Sequence, residues 1–263
     1  MDVSGKTVLL TGATGGLGQA IARAFARRGA RLVLTGRRTE VLEPLAAQLG
    51  ARTIAVDLAV PAEVDRLIAE AGDVDVLIAN AALPASGRIE RFTVEEIDRA
   101  LAVNLRAPIV LARAYAPAMA QRGGGHIVLM SSLSGKAAMA GGSLYSATKF
   151  GLRGFGLALR EDWRDRGVGV SVVSPGFIRD AGMFHDAGAT LPPGVGTRSP
   201  EDVAEATLRA VERNRGEVEV APPQLRLGAL ASQVVPELAA RVARRMGAGK
   251  VAGELAEGQR DKR

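Results

Sequence analysis

Tyr145 and Lys149 stand four positions apart in the run Tyr145-Ser146-Ala147-Thr148-Lys149. On a helix that spacing sets a phenol beside an ammonium. The positive charge favours tyrosinate and lowers the phenol pKa from its reference of about 10. A poor acid then becomes useful near neutral pH. With two Tyr and five Lys in 263 residues, a chance pair at this spacing is expected about 0.04 times. Other polar groups cluster around the same chemistry. Ser131 and Ser132 follow the apolar run Ile127–Met130, and Asn80 closes another at Val76-Leu77-Ile78. Asn104 falls inside the long helical pattern Val94–Gln121, where an amide has poor helix propensity. Tyr145 and Lys149 thus suit general acid–base work, with these polar groups nearby.

A second constellation could bind a phosphate. The first apolar run, Val8-Leu9-Leu10, leads directly into Thr11-Gly12-Ala13-Thr14-Gly15-Gly16-Leu17-Gly18. Glycines between a strand and a helix let the backbone approach a pyrophosphate, and the helix N-terminus offers it free N–H groups. A dinucleotide site for NAD(H) usually carries an acid about 20 residues further on, for the ribose 2′-OH. Here that region reads Leu34-Thr35-Gly36-Arg37-Arg38. Guanidinium forks at Arg37 and Arg38 suit a 2′-phosphate, so NADP(H) is expected over NAD(H). Asp57 closes the third strand within reach of an adenine amino group, a position that equally suits the start of a loop.

The elements that must position these groups follow from hydrophobic pattern. Val8-Leu9-Leu10, Leu32-Val33-Leu34, Thr53–Val56, Val76-Leu77-Ile78, Ile127–Met130, Val168–Val173 and Glu217–Val220 read as strands. Most are apolar on consecutive residues, as strands buried on both faces are. Helical spacing marks Leu17–Arg28, Glu40–Leu49, Ala62–Ala71, Val94–Gln121 and Leu144–Arg166. Thr93 with Glu96 forms a capping box, and Ser199-Pro200-Glu201-Asp202 starts a later helix. Strand–helix alternation predicts an α/β fold: a Rossmann-type, doubly wound parallel sheet of about seven strands with helices on both faces. Its ligand belongs at the carboxyl ends of the strands, where the glycine turn, Asn80, Ser132 and Tyr145 all fall.

Composition narrows the function classes. Hydrophobic residues make up 47% and charged residues 24%, an ordinary globular balance. With no Cys and two His, neither a disulfide scaffold nor a metal centre is expected. No apolar run reaches the ~18 residues of a membrane span, and Met1–Lys6 does not read as a signal peptide, so a cytoplasmic location is expected. The net charge is +6. Eight Lys/Arg against four Asp/Glu lie from Pro222 onward, so +4 of it belongs to the tail. No aromatic platform interleaves with the Arg residues, which argues against nucleic acid.

In this order the motifs resemble the classical short-chain dehydrogenase/reductase (SDR) family, over almost all of Lys6–Ala221. The residues that carry the resemblance are Thr11, Gly12, Gly16 and Gly18, then Ala79-Asn80-Ala81-Ala82, Asn104, Ser132, Tyr145, Lys149 and Pro175-Gly176. The resemblance implies an oxidoreductase acting on a carbonyl or secondary alcohol. In it Tyr145 moves the proton, Ser132 orients the substrate oxygen, Lys149 lowers the Tyr pKa and holds the nicotinamide ribose, and Asn104 anchors a relay water. It places NADP(H) on Gly12, Thr14, Gly16, Leu17 and Gly18, on Arg37 and Arg38, on Asp57 and Leu58, on Asn80, on Tyr145 and Lys149, and on Pro175, Gly176 and Ile178. A homodimer or homotetramer is implied in the same way. Ala79 and Ala82 replace an Asn and a Gly of the family loop. Asp180 stands where many members have a Thr that contacts the nicotinamide carboxamide.

Pro175–Ser199 carries Phe177, Met183, Phe184 and Leu191 and reads as a mobile lid over a hydrophobic substrate. His185 lies in it, without an assigned role. The chain divides into a single dinucleotide-binding and catalytic domain, 1–221, and a helical tail, 222–263. In the tail Leu227, Ala231, Val234, Leu238, Val242 and Met246 form one apolar stripe, interrupted at Pro236, so two short helices are expected. The favoured reading packs the stripe on the parent domain or a partner subunit. The sharper readings place it at the substrate mouth, or on an anionic membrane with Arg241, Arg244 and Arg245 toward the head groups. From about Ala248 the tail is polar and Gly-rich and is expected to be poorly ordered. The competing function is a nucleotide-sensing protein of the same fold without turnover. Such a protein needs the glycine turn but has no use for the Ser132–Tyr145–Lys149 set.

Overall fold

The computed structural model describes residues 1–260. Seven parallel strands form one sheet in the order β3-β2-β1-β4-β5-β6-β7. They are β1 (Thr7–Leu10), β2 (Arg31–Gly36), β3 (Arg52–Ala55), β4 (Val76–Ala79), β5 (Gly125–Met130), β6 (Val168–Pro175) and β7 (Glu217–Val220). The consecutive apolar residues of these strands are explained by two cores, one on each face. Along β1, Val8 and Leu10 enter one core while Leu9 enters the other. Along β5, Val128 and Met130 part from Ile127 and Leu129 in the same way. Side chains alternate across a strand, so only a sheet covered on both sides wants apolar residues at every position.

The first core is covered by α1 (Gly16–Arg27), α2 (Thr39–Leu49) and α8 (Pro200–Glu212). The second lies under α3 (Pro61–Ala71), α5 (Ala107–Gln121) and α6 (Ser143–Trp163). The helix starts read from the sequence are present. Thr93 and Glu96 close a capping box on α4 (Val94–Leu101), and Ser199 and Asp202 close one on α8.

The single helix expected over Val94–Gln121 is divided. Between α4 and α5 the backbone widens into a π-helical turn at Ala102–Arg106. Asn104 is in that turn and fully buried, so the residue of poor helix propensity marks the place where the α pattern gives way.

The C-terminal region is helical: α9 (Pro223–Val234), α10 (Pro236–Arg245) and α11 (Ala248–Gly258). Pro236 starts α10, so the two short helices of the stripe are present. Two expectations need correction. Of the two partners expected for the stripe, the parent domain or a second subunit, the parent domain does not cover it: Leu227, Val234, Leu238, Val242 and Met246 are all exposed, and α10 buries no residue. The segment 248–260 is also not loose, and residues 261–263 lie outside the described residues. Val251, Ala252 and Leu255 are buried on one side of α11. Glu254 accepts hydrogen bonds from both the N–H and the hydroxyl of Thr190 (2.7 and 2.9 Å). Gln259 donates to the Met183 carbonyl of the short helix α7 (Met183–Asp186) at 3.3 Å. Composition missed this because three well-spaced apolar side chains, together with Met183 and Thr190 to hold, outweigh the surrounding glycines.

Candidate active site

β1 and β4 are neighbours whose chains leave in opposite directions across the sheet, and their carboxyl ends open a crevice at that switch point. A cavity of about 1750 Å³ fills it. The glycine turn forms one end. Gly12 has φ +68, and a Cβ there would lie 2.7 Å from the Ala81 backbone. A Cβ on Gly18 would strike the Gly12 carbonyl, so both positions require glycine for fit, and Gly12 requires it for conformation as well. Asn80 braces the turn: its Nδ2 donates to the carbonyls of Thr11 and Gly12 (3.0 and 3.2 Å). The N-terminus of α1 at Gly15 has no side-chain cap and no acid in its first turn. Its backbone N–H groups therefore suit an anion, and the turn fits the pyrophosphate of a dinucleotide.

Gly36, Arg37 and Arg38 continue the wall. Gly36 is held tight, since a Cβ would lie 2.7 Å from the Thr14 methyl. The two arginines differ. Arg38 donates to the Thr14 carbonyl at 2.7 Å, so its fork is tied to the glycine turn. Arg37 is half exposed and approaches Asp57 at 3.9 Å. Asp57 is held mainly by Arg99, at 2.7 Å, while its other oxygen accepts from the Ala59 N–H. Burial alone would raise the Asp57 carboxyl, but Ala59, Arg99 and Arg37 outweigh it and hold it below the usual range. Arg99 carried no local signal in the sequence, because its partner is brought to it by the fold. Leu58, Pro175, Gly176 and Ile178 line the same cavity, as do Thr14, Gly16 and Leu17.

The other end holds a hydroxyl, a phenol and an ammonium. Ser132 follows β5, and Tyr145 and Lys149 lie on the first turns of α6; all three face the cavity. Lys149 is buried, its Nζ donates to the Met130 carbonyl at 2.8 Å, and it lies 5.6 Å from the centre of the Tyr145 ring. Ser131 is drawn away from the cavity chemistry, since its hydroxyl donates to the Lys149 carbonyl at 2.9 Å. The expectation that Lys149 lowers the Tyr145 pKa is corrected here. Burial dominates and pushes the phenol up to about 12, with only the Ser132 hydrogen bond pulling it down. Burial also lowers the Lys149 ammonium to about 8. The groups meet as the spacing implied, and desolvation decides their acidity.

Asn104 alone among the expected site residues does not line the cavity. Its Oδ1 accepts from the Leu83 N–H (2.7 Å) and its Nδ2 donates to the Leu83 carbonyl (2.9 Å). The amide thus holds the loop after β4, and Leu83 on that loop lines the cavity. Asp180 sits at φ +67 with its carboxylate largely exposed and paired to Arg179 at 3.2 Å. His185 pairs with Asp186 at the surface.

A charged cluster under the cavity escaped the sequence reading. Buried Lys136, just past the Leu133–Gly135 turn, places its Nζ 2.9 Å from Glu217 and 2.6 Å from Glu219. Arg153 of α6 reaches Glu217 at 2.6 Å, and Arg226 of α9 reaches Glu219 at 3.0 Å. The alternation Glu217-Val218-Glu219-Val220 was the available signal: two acids on one face of an edge strand. The remaining walls are apolar, with Val103, Phe150, Phe177, Phe184 and residues of α9, α10 and α11. The Phe177 and Phe184 rings pack at 5.1 Å within the stretch 175–199.

Comparison with known proteins agrees with this architecture. The family model for short chain dehydrogenases matches residues 6–191. Ketoacyl reductase HetN of Nostoc sp. is 36% identical over 225 residues, covering 82% of this chain and 78% of its own. A short-chain dehydrogenase from Sphingobium yanoikuyae, solved in complex with NADPH, superposes with a TM-score of 0.75 at 32% identity, over 89% of this chain and 95% of that one. The bulky-bulky ketone specific alcohol dehydrogenase from Comamonas testosteroni gives 0.74 at 29% identity, over 89% and 93%. With its glycine turn at the β1–β4 switch point and Tyr145 and Lys149 facing the same cavity, the chain belongs to the short-chain dehydrogenase family of oxidoreductases.

Proposed function

We propose that this protein is an NADP(H)-dependent oxidoreductase that interconverts an apolar carbonyl compound and its secondary alcohol. One observation carries the reading. A single cavity has the uncapped glycine turn and Arg37 at one end, Ser132, Tyr145 and Lys149 at the other, and apolar walls beyond. The Sphingobium yanoikuyae neighbour solved with NADPH supports the cofactor, and the Comamonas testosteroni enzyme for bulky ketones supports a large apolar substrate.

Gly12, Gly16 and Gly18 would admit the pyrophosphate, Arg37 the 2′-phosphate, and Lys149 the nicotinamide ribose. When bound, the dinucleotide supplies or accepts the hydride. The chain's own residues handle the oxygen. Ser132 hydrogen-bonds Tyr145 and aligns the substrate oxygen beside it. In the reductive direction the Tyr145 hydroxyl donates its proton as charge gathers on that oxygen. With its phenol pushed up to about 12, Tyr145 keeps that proton until the oxygen demands it. The Ser132 hydroxyl, hydrogen-bonded to the phenol oxygen, then stabilises the tyrosinate left behind.

The test is NADPH oxidation with a panel of aliphatic and aromatic ketones, repeated with Tyr145→Phe. Turnover should fall by about 10²–10⁴, the usual loss of a general acid, while dinucleotide binding persists. Near-normal turnover in that variant would remove Tyr145 from the role.

A further inference from the structure

Most of the large apolar side chains exposed on this protein belong to one short stretch. Leu227, Leu230 and Val234 lie on one side of α9, followed by Val235, then Leu238, Val242 and Met246 on or just beyond α10. Val234 is 73% exposed and Leu227 67%. A protein rarely leaves so many large apolar side chains exposed in one short stretch without a use. Two further observations say what covers it. Arg241 and Arg245 stand three positions beyond Leu238 and Val242, with Arg244 beside them, and all are exposed. Glu237 is the one acid on α10. The apolar face is therefore flanked by positive charge, the arrangement of a helix that lies in an anionic interface with its arginines reaching the head groups. In addition Val235, Leu238, Val242 and Met246 both stand exposed and line the cavity. The α10 part of the face thus borders the cavity.

We propose that the α9–α10 face docks on an anionic lipid surface. A second copy of the chain fits less well. A two-fold pairing of this face would join two patches that each carry Arg241, Arg244 and Arg245 against the single acid Glu237. Docked on lipid, the mouth of the cavity meets the hydrocarbon, and an apolar substrate enters without crossing water. That consequence rests on the oxidoreductase reading, whereas the docking does not.

Sedimentation of the intact protein with vesicles tests it without any turnover. Vesicles of equal parts phosphatidylcholine and phosphatidylglycerol should pull the protein down at low salt, and high salt should release it. Pure phosphatidylcholine should bind far less. Arg241→Glu, Arg244→Glu and Arg245→Glu together should lower the partition coefficient by roughly 100-fold or more. Leu227→Ser, Leu230→Ser and Val234→Ser together should lower it by at least roughly 10-fold. These six side chains are exposed and line no part of the cavity, so both variants should keep the cooperative unfolding of the parent. A protein that stays in the supernatant with anionic vesicles overturns the proposal, and so does binding that charge reversal leaves unchanged. If the serine variant instead abolishes a dimer in solution, and the parent binds no vesicle, the face belongs to a second copy and the proposal falls. Vesicle binding without ketone reduction would leave the docking standing and count against the oxidoreductase reading alone.

Discussion

The ammonium of Lys136 lies 2.6 Å from the carboxylate of Glu219. That pair ties the turn beyond Ser132 to the edge strand β7. Through Glu217 and Arg153 the same cluster reaches α6, which carries Tyr145 and Lys149. Through Arg226 it reaches α9. Burial alone would raise Glu217 and Glu219, but their cationic partners outweigh it and hold both below the usual carboxylate range. Their folded pKa values are thus depressed, so their contribution to stability is complete above the unfolded value and fades as pH falls through the folded one. Lys136→Met should cost roughly 2 kcal/mol at neutral pH, because it leaves carboxylates without their buried partner. It should also lower kcat more than it raises KM, by loosening the Ser132 turn. Glu219→Gln added to Lys136→Met should recover part of the stability. Urea unfolding of the four proteins measures the coupling, and additive losses would show the pair to be independent.

Arg37 and Arg38 should separate cleanly. Arg37 is half exposed beside Asp57, so Arg37→Asp should weaken NADPH selectively and shift preference toward NADH. Arg38 donates to the Thr14 carbonyl, so Arg38→Ala should weaken both dinucleotides by similar factors through the glycine turn. The ratio of kcat/KM for the two cofactors in each variant reads the difference. A parent enzyme that already prefers NADH would remove the phosphate role from Arg37.

Asn104→Ala should strip both partners from the Leu83 backbone in a buried place. Two unsatisfied groups there cost roughly 2–4 kcal/mol. Thermal unfolding should show the loss, and hydrogen exchange should show the Leu83 N–H newly unprotected. Protection unchanged from the parent would mean that the loop is held by other contacts.

His126 is buried against Ser171, with Nε2 2.8 Å from the hydroxyl. Burial lowers its pKa from 6.5 to about 3, helped by the N-terminal ammonium and Arg160. Between those values the unfolded chain binds a proton that the folded chain refuses. Stability must therefore fall as pH drops below about 6.5, by up to about 1.4 kcal/mol per pH unit from this group. His126→Gln should flatten that acid slope while leaving stability at pH 8 nearly unchanged. Urea midpoints across pH 4–8 compare the two, and parallel profiles would show that His126 protonates in the fold.

The local arrangement was legible in the sequence because it is written at fixed short spacings. Tyr145 and Lys149 share a helix face by arithmetic alone, and strands such as Val8–Leu10 announce burial on both sides. The capping residues Thr93 and Ser199 start their helices through bonds that span three residues. What joins distant segments could not be read that way. Arg99 meets Asp57 from 42 positions away and Lys136 meets Glu219 from 83. The high pKa of Tyr145 follows from burial, which is a sum over many neighbours, whereas the spacing to Lys149 suggested the opposite direction. The tail shows the same division. Periodicity placed the break at Pro236 and the helices around it. Whether an apolar stripe is covered depends on what stands opposite, and the fold leaves Leu227 and Val234 facing outward while it buries Val251 and Leu255.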